Sequence, residues 1–352
     1  MAVLAAKSIG DVCLHRLIML GILKQGWNQL GNHKKTVFYF YFANLLVAAL
    51  LLVPFMQVFE DSLGPGLYRD KLVGQLDYDW YMLFTDRVTG FASTFTPWVL
   101  GAGPFARNWE VLLDGELTRL PWIIVSLGTL YMLLNSFLLA AAVGSLALDS
   151  KGTSLREFFR NGGMFFGRFF RLTVLAVLAF WFVGSWIVEP LSDLGEKLTN
   201  AAVTDRGAFY WDVSRYGIVL VIFLFLNMLF DYAKIKTALE DRTSVVVAFF
   251  SALKFCTTSF FSCFGFYLLI TVVGLAWVVL YTGIEWLLPQ QSWLTILMAI
   301  IVQQLYMLGR LTVKLLFYSG QMQFYLKRKE TLSVVPENSS SRTHLLDADS
   351  GM

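Results

Sequence analysis

Charge is scarce in this chain. Asp, Glu, Lys and Arg make up 15% of its 352 residues, against roughly 25% in a soluble domain. With 57% apolar residues, it lacks the polar surface of a soluble globular protein. Cysteine is nearly absent. Cys13, Cys256 and Cys263 fall on inner segments or within an apolar run, which argues against a disulfide framework and for inert or reduced thiols. His15, His33 and His344 have no second ligand at a metal-binding interval, so no metal centre is assigned. No Walker-type phosphate loop, dinucleotide fingerprint or Ser, His and acid arrangement occurs. No catalytic residue or cofactor is therefore assigned, and the chain reads as non-enzymatic. A net charge of +3 is too small to attract nucleic acid. The start, MAVLAAKSIGDVC, lacks the apolar core of a cleavable signal peptide, so the first apolar run is expected to double as the insertion signal.

Apolar runs are what the chain has in abundance. Six of them cover Val37 to Val58, Pro121 to Leu148, Leu172 to Val188, Tyr216 to Phe230, Cys263 to Leu287 and Trp293 to Leu308. Most approach the roughly 20 residues that a bilayer-spanning helix needs. The expected fold class is all-α: a polytopic bundle of six transmembrane helices in residues 1–330, with 59–120 outside and 331–352 as a disordered cytoplasmic tail. With both termini in the cytoplasm, the inner segments carry 20 Lys and Arg against 10 acids, and the outer ones 8 against 15. Basic inner loops set that orientation. Residues 88–106 are uncharged but rich in Gly, Ser, Thr and Pro. A seventh span there would invert every later loop, so the stretch reads as surface-lying or re-entrant.

The chain also repeats itself. LDSKGTS from Leu148 returns as LEDRTS from Leu239, and Phe158, Phe159, Phe169 and Phe170 return as Phe249, Phe250, Phe260 and Phe261. A fainter third copy aligns Leu229, Phe230 and Leu239 with Leu316, Phe317 and Leu326, and Ala142 and Ala233 with Gly320. Each unit then comprises an inner amphipathic helix, an outward span and a returning span. Units inserted the same way are parallel repeats about the membrane normal.

The clearest amphipathic helix is Leu155 to Arg171. Its Phe face opposes Arg156, Arg160, Arg168 and Arg171, an arrangement suited to anionic headgroups of the inner leaflet. Val245 to Phe261 looks like a less charged copy, and Cys13, Leu17, Leu20, Leu23, Trp27 and Leu30 trace a similar stripe near the start. Packing under the bundle is the other reading of all three. Outside, Asp77 and Asp79 in LDYDWYMLF are a carboxylate pair with too few partners to define a cation site, and read as solvated.

Polar residues inside the runs point to function, because hydrocarbon tolerates them only with partners. Asn135, Asn227 and Lys314 occupy matched repeat positions, with Asp231 and Arg310 one turn away. With Asn44, Gln303 and Gln304 they are expected to form a polar seam in which Asp231 neutralises Lys314 or Arg310. Simple interhelical hydrogen bonding and snorkelling cations are the alternative.

The order GWNQLGNHKKTVFYFYFANLLVAALLLVPF, an acidic Trp-containing segment, and FDYAKIKTALEDRTS resembles a broad set of uncharacterised six-helix bacterial inner-membrane proteins. It is loosely similar to the membrane domain of some glycerophosphodiester phosphodiesterases. The resemblance implies a bacterial inner-membrane setting. Phosphodiesterase activity is not carried over, since no hydrolase segment accompanies it. Two functions fit: a small transporter or lipid-handling protein, or a non-catalytic scaffold or accessory subunit. The partners expected are membrane lipids, anionic at the inner leaflet, with a protein partner or homo-oligomer as the further option.

Overall fold

The structure is a computed structural model that describes residues 18–63, 77–88, 122–148, 153–200, 204–288 and 292–334. Among these residues all regular structure is helical. Helix α1 (18–32) turns at His33 into α2 (Lys34–Leu63), and a short α3 (Tyr78–Arg87) follows. Next come α4 (Trp122–Ala147) and α5 (Leu155–Val183), which continues through a π-helical turn, Gly184–Val188, into α6 (Glu189–Asn200). The remaining described helices are α7 (Asp205–Leu239), α8 (Val245–Thr258), α9 (Phe260–Leu287) and α10 (Trp293–Val334).

Among the described residues five helices are long and apolar enough to cross a membrane, or six if Lys34–Leu50 and Phe55–Leu63 are one span bent by 43°. Pro54 lies at that bend, where its missing N–H leaves a carbonyl of the preceding turn without its helical partner. The helices overrun the six apolar runs. Leu155–Thr199 is one stretch of 45 residues, about 68 Å at 1.5 Å per residue, and α10 has 42, about 63 Å.

That length is used at one end. The main core gathers where α4, α7 and α10 finish: Ala140 to Val143, Met228 to Ile235 and Leu315 to Tyr325 supply much of it. Each of these helix ends packs on a neighbour. A Cβ on Gly144 of α4 would come within 2.7 Å of the Phe165 ring of α5, and one on Gly162 within 2.8 Å of Phe137. On α7 and α8, Phe230 meets Phe249 at 5.4 Å, and Lys236 donates to Ser251 O at 3.0 Å and Oγ at 2.6 Å. On α10 and α1, Gly320 faces Gly26, and Gln323 donates to Gln29 Oε1 at 3.0 Å. The matched small residues Ala142, Ala233 and Gly320 are all buried.

Three expectations change. The helix from Leu155 is not a separate surface element but runs on without a break into the following apolar run, its start fixed by a Ser154–Glu157 capping box. Its Phe face is turned largely to protein: Phe158, Phe165 and Phe169 are buried, while Phe159 stays half exposed. On α1 the buried face is Ile22, Gly26 and Leu30, whereas Leu20 and Trp27 are exposed. Contact with α10 selects the glycine rather than the larger apolar side chains. Finally, α10 runs to Val334, past the boundary expected at residue 330. Residues 335–352, 88–106 apart from Val88, and Cys13 lie outside the described residues.

Asp77 has a local role. It caps α3, accepting from the Asp79 and Trp80 backbone N–H groups at 3.0 and 3.1 Å, which seats Trp80 and Phe84 against Leu63.

Candidate functional site

A cavity of about 590 Å³ opens between α2, α4, α7, α9 and α10. Asn135, Asn227, Asp231, Arg310 and Lys314 all line it, as do Asn44 and Gln304. Gln303 points elsewhere, toward Tyr281 and Glu285. The polar residues of four separate runs thus converge on one space.

Their partnering differs from expectation. Asp231 does not pair with Lys314 or Arg310. Its Oδ1 accepts from Tyr318 OH at 2.8 Å and lies 3.8 Å from Lys234 Nζ. Lys234 sits three residues on along the same helix, where side chains meet without interhelical adjustment. Lys314 instead donates to Asn135 Oδ1 at 2.7 Å, with its ammonium 5.0 Å from the centre of the Phe40 ring. Asn227 donates to Tyr267 OH at 2.7 Å. Arg310 makes no hydrogen bond or ion pair among the described residues.

The cavity is therefore unequal in charge, with three cations, Lys234, Arg310 and Lys314, against the single carboxylate of Asp231. It is also unequal along its length. Its lining on α10 runs from Gln304 to Tyr318, about 21 Å at the helical rise. Asp231, Lys234 and Lys314 gather at the end nearest Tyr318, and Arg310 lies about 6 Å from Lys314 along α10 toward Gln304. At the Gln304 end the polar groups satisfy one another: Tyr41 OH donates to Gln304 Oε1 at 2.6 Å, and Asn44 Nδ2 to its own helix at Phe40 O at 2.8 Å. Leu45, Ala48 and Met307 make up the rest there.

Lys234, Tyr267 and Tyr318 were not read from the sequence. Lys234 carried a signal, lying one turn beyond Asp231. Tyr318, one turn beyond Lys314, was masked by an aromatic-rich helix in which tyrosine is unremarked.

Of the arginines opposite the Phe face, Arg156, Arg160 and Arg171 are exposed, and Arg168 pairs with Asp241 at the α7–α8 junction. Beside it, Glu240 accepts from Tyr325 and Arg242 and lies 3.8 Å from Lys329. Burial pushes the Glu240 carboxyl up, but the Tyr325 and Arg242 hydrogen bonds outweigh it and hold the group below the ordinary glutamate value.

These features define a class: a bundle of long apolar helices, of the kind membrane proteins have, around a polar cavity. Compared with protein-family models, curated proteins and solved structures, the chain finds no match.

Proposed function

We propose that this is a non-enzymatic protein of the bacterial inner membrane, six spans with both termini inside, that binds a ligand within the bundle as a small transporter or lipid-handling protein. The carrying observation is the 590 Å³ cavity lined by Asn135, Asn227 and Lys314. A scaffold working through its outer surface has no use for a charged interior, which costs free energy unless partnered.

Exposed aromatics support embedding. Trp186, Tyr210, Trp211, Trp286 and Trp293 are at least half exposed; Trp186 and Trp286 come late in their helices and Tyr210, Trp211 and Trp293 at the start of the helices that follow, which puts them on one side of an up-and-down bundle. Phe261 marks the other end of α9, 88% exposed. The 25 residues from Phe261 to Trp286 span about 37 Å, a hydrocarbon core of about 30 Å plus its interfaces, where such rings are favoured. Parallel triplication is supported by the three equivalent packings of α4 on α5, α7 on α8 and α10 on α1. Arg156, Arg160 and Arg171 then lie at the inner surface, positioned for anionic headgroups. One observation favours the scaffold: the most apolar window of Trp293–Glu330 is 0% buried, leaving that face to lipid or a partner helix.

The test is occupancy. Native mass spectrometry of the purified protein should find a small molecule retained by the wild type and lost in Ala48→Trp, which fills the cavity. Equal retention by both would place the ligand elsewhere and favour the scaffold.

A further inference from the structure

The ligand class follows from which cavity groups are unspent and how deep they sit. Asp231 is satisfied by Tyr318 and Lys234, and the Asn135 oxygen by Lys314. The donors are not matched. Lys314 has three N–H groups and one recorded acceptor, and the Arg310 guanidinium has five with none among the described residues. Arg310 is exposed and Lys314 partly buried; two positive charges in excess and a surplus of donors on one stretch of α10 suit an anion with several acceptor oxygens.

Depth decides what kind of anion. Lys314 is 21 residues from Trp293 along α10, and Asp231 is 20 from Trp211 along α7; both distances are about 30 Å. If those tryptophans mark the outer interface, the charged end lies at the inner headgroup level. From Lys314 the lining on α10 runs about 15 Å to Gln304 toward the opposite face, comparable to the roughly 15 Å of half a hydrocarbon core. Along that extension the lining is Leu45, Ala48, Tyr131 and Met307, beside polar groups already paired. The shape is that of one amphiphile: charged head, apolar shaft.

We propose that the cavity takes an anionic lipid of the inner leaflet, its phosphate held by Lys314 and Arg310 with Lys234 beside them, and an acyl chain lying along Leu45, Ala48 and Met307. The assignment rests on the cavity being a ligand site, as proposed above. Lys314 is the specificity-determining residue. At the matched position the other two units carry Asn135 and Asn227, which line a polar space without selecting a charge.

The experiment uses the full chain in phosphatidylcholine nanodiscs, with bound molecules counted by native mass spectrometry. Phosphatidic acid, inorganic phosphate and a dioleoyl trimethylammonium lipid are titrated separately. One phosphatidic acid per chain is expected to be retained. Lys314→Met and Arg310→Gln should each weaken that retention by about tenfold or more, the worth of one charged hydrogen-bonding partner. Lys254→Met, an exposed cation outside the cavity, should leave it unchanged. Arg310→Gln removes no recorded protein contact, so it carries the test if Lys314→Met does not fold. Inorganic phosphate retained as tightly as phosphatidic acid overturns the lipid in favour of a free anion. Retention of the cationic lipid, abolished by Ala48→Trp, overturns the anion while the ligand site survives. Retention of none of the three in a manner sensitive to Ala48→Trp overturns both.

Discussion

Gly26→Ala and Gly21→Ala are the same chemical change on the same helix, and the structure gives them opposite signs. A Cβ on Gly26 would stand 2.7 Å from Gly320 Cα and 2.9 Å from Gly320 N. Both atoms are backbone, so no side chain can rotate away, and the partner, being glycine, offers nothing to trim. Relief requires α1 and α10 to separate by on the order of 1 Å, which loosens the Gln29–Gln323 contact beside them. Overpacking of this kind costs about 1 to 3 kcal/mol. Helix propensity returns at most about 1 kcal/mol when alanine replaces an interior glycine, so Gly26→Ala loses up to about 2 kcal/mol against wild type and about 1 to 3 kcal/mol against Gly21→Ala, where the propensity gain cancels. At Gly21 nothing lies within 4 Å, so only the propensity gain of up to about 1 kcal/mol remains. Thermal unfolding in detergent, followed by tryptophan fluorescence, should rank Gly21→Ala above wild type and Gly26→Ala below it. Gly26→Ala as stable as Gly21→Ala would falsify the close crossing of α1 on α10.

Three further outcomes are expected. Asp231→Asn should destabilise the protein, and a double-mutant cycle should show stronger coupling of Asp231 to Lys234 than to Lys314; the reverse order would restore the interhelical pair expected from sequence. Glu240, with its folded pKa depressed, contributes stability that is fully present above the unfolded value of about 4.3 and is lost as pH falls through the lower folded value. Acid unfolding should therefore be less steep in Glu240→Gln, and an identical acid limb in both proteins would show that the Tyr325 and Arg242 contacts do not matter. Single cysteines at Asp77 and Glu196 should react with an impermeant thiol reagent in intact cells and one at Lys329 should not, with labelling at Lys329 sinking the orientation.

Periodicity and run length made the helices legible, because each span must be apolar for about 20 residues whatever its neighbours are. The seam was legible for a related reason: an Asn, Asp or Lys inside such a run stands out, and Asn135, Asn227, Asp231, Arg310 and Lys314 do meet at one cavity. Which of them touch was not legible. Asp231 had cations available on its own helix and on α10, and rotation about the helix axes, which leaves no mark in composition, awarded it Lys234 and Tyr318. On α1 the face that packs on protein was not legible either. Reading burial from side-chain size favoured Leu20 and Trp27, whereas a close helix crossing rewards the residue with no side chain at all. The Phe pairs after Leu155 repeat in sequence, but α5 is continuous where α8 and α9 break at Ser259, a difference of hydrogen bonding at one residue that residue spacing does not reveal.

The contact between α1 and α10 also has a history in time. Gln29 and Gln323 are 294 residues apart, so during synthesis at 5 to 20 residues per second the first helix is complete roughly 15 to 60 s before its partner exists. For that interval the face formed by Ile22, Gly26 and Leu30 has nothing of this chain to rest on, and every earlier helix pair can assemble before the ring of packings closes. Of the described helices, α10 emerges last, and it is the one that completes the cavity wall and covers α1. A chain that stops before α10 leaves the strip of Ile22, Gly26 and Leu30 uncovered.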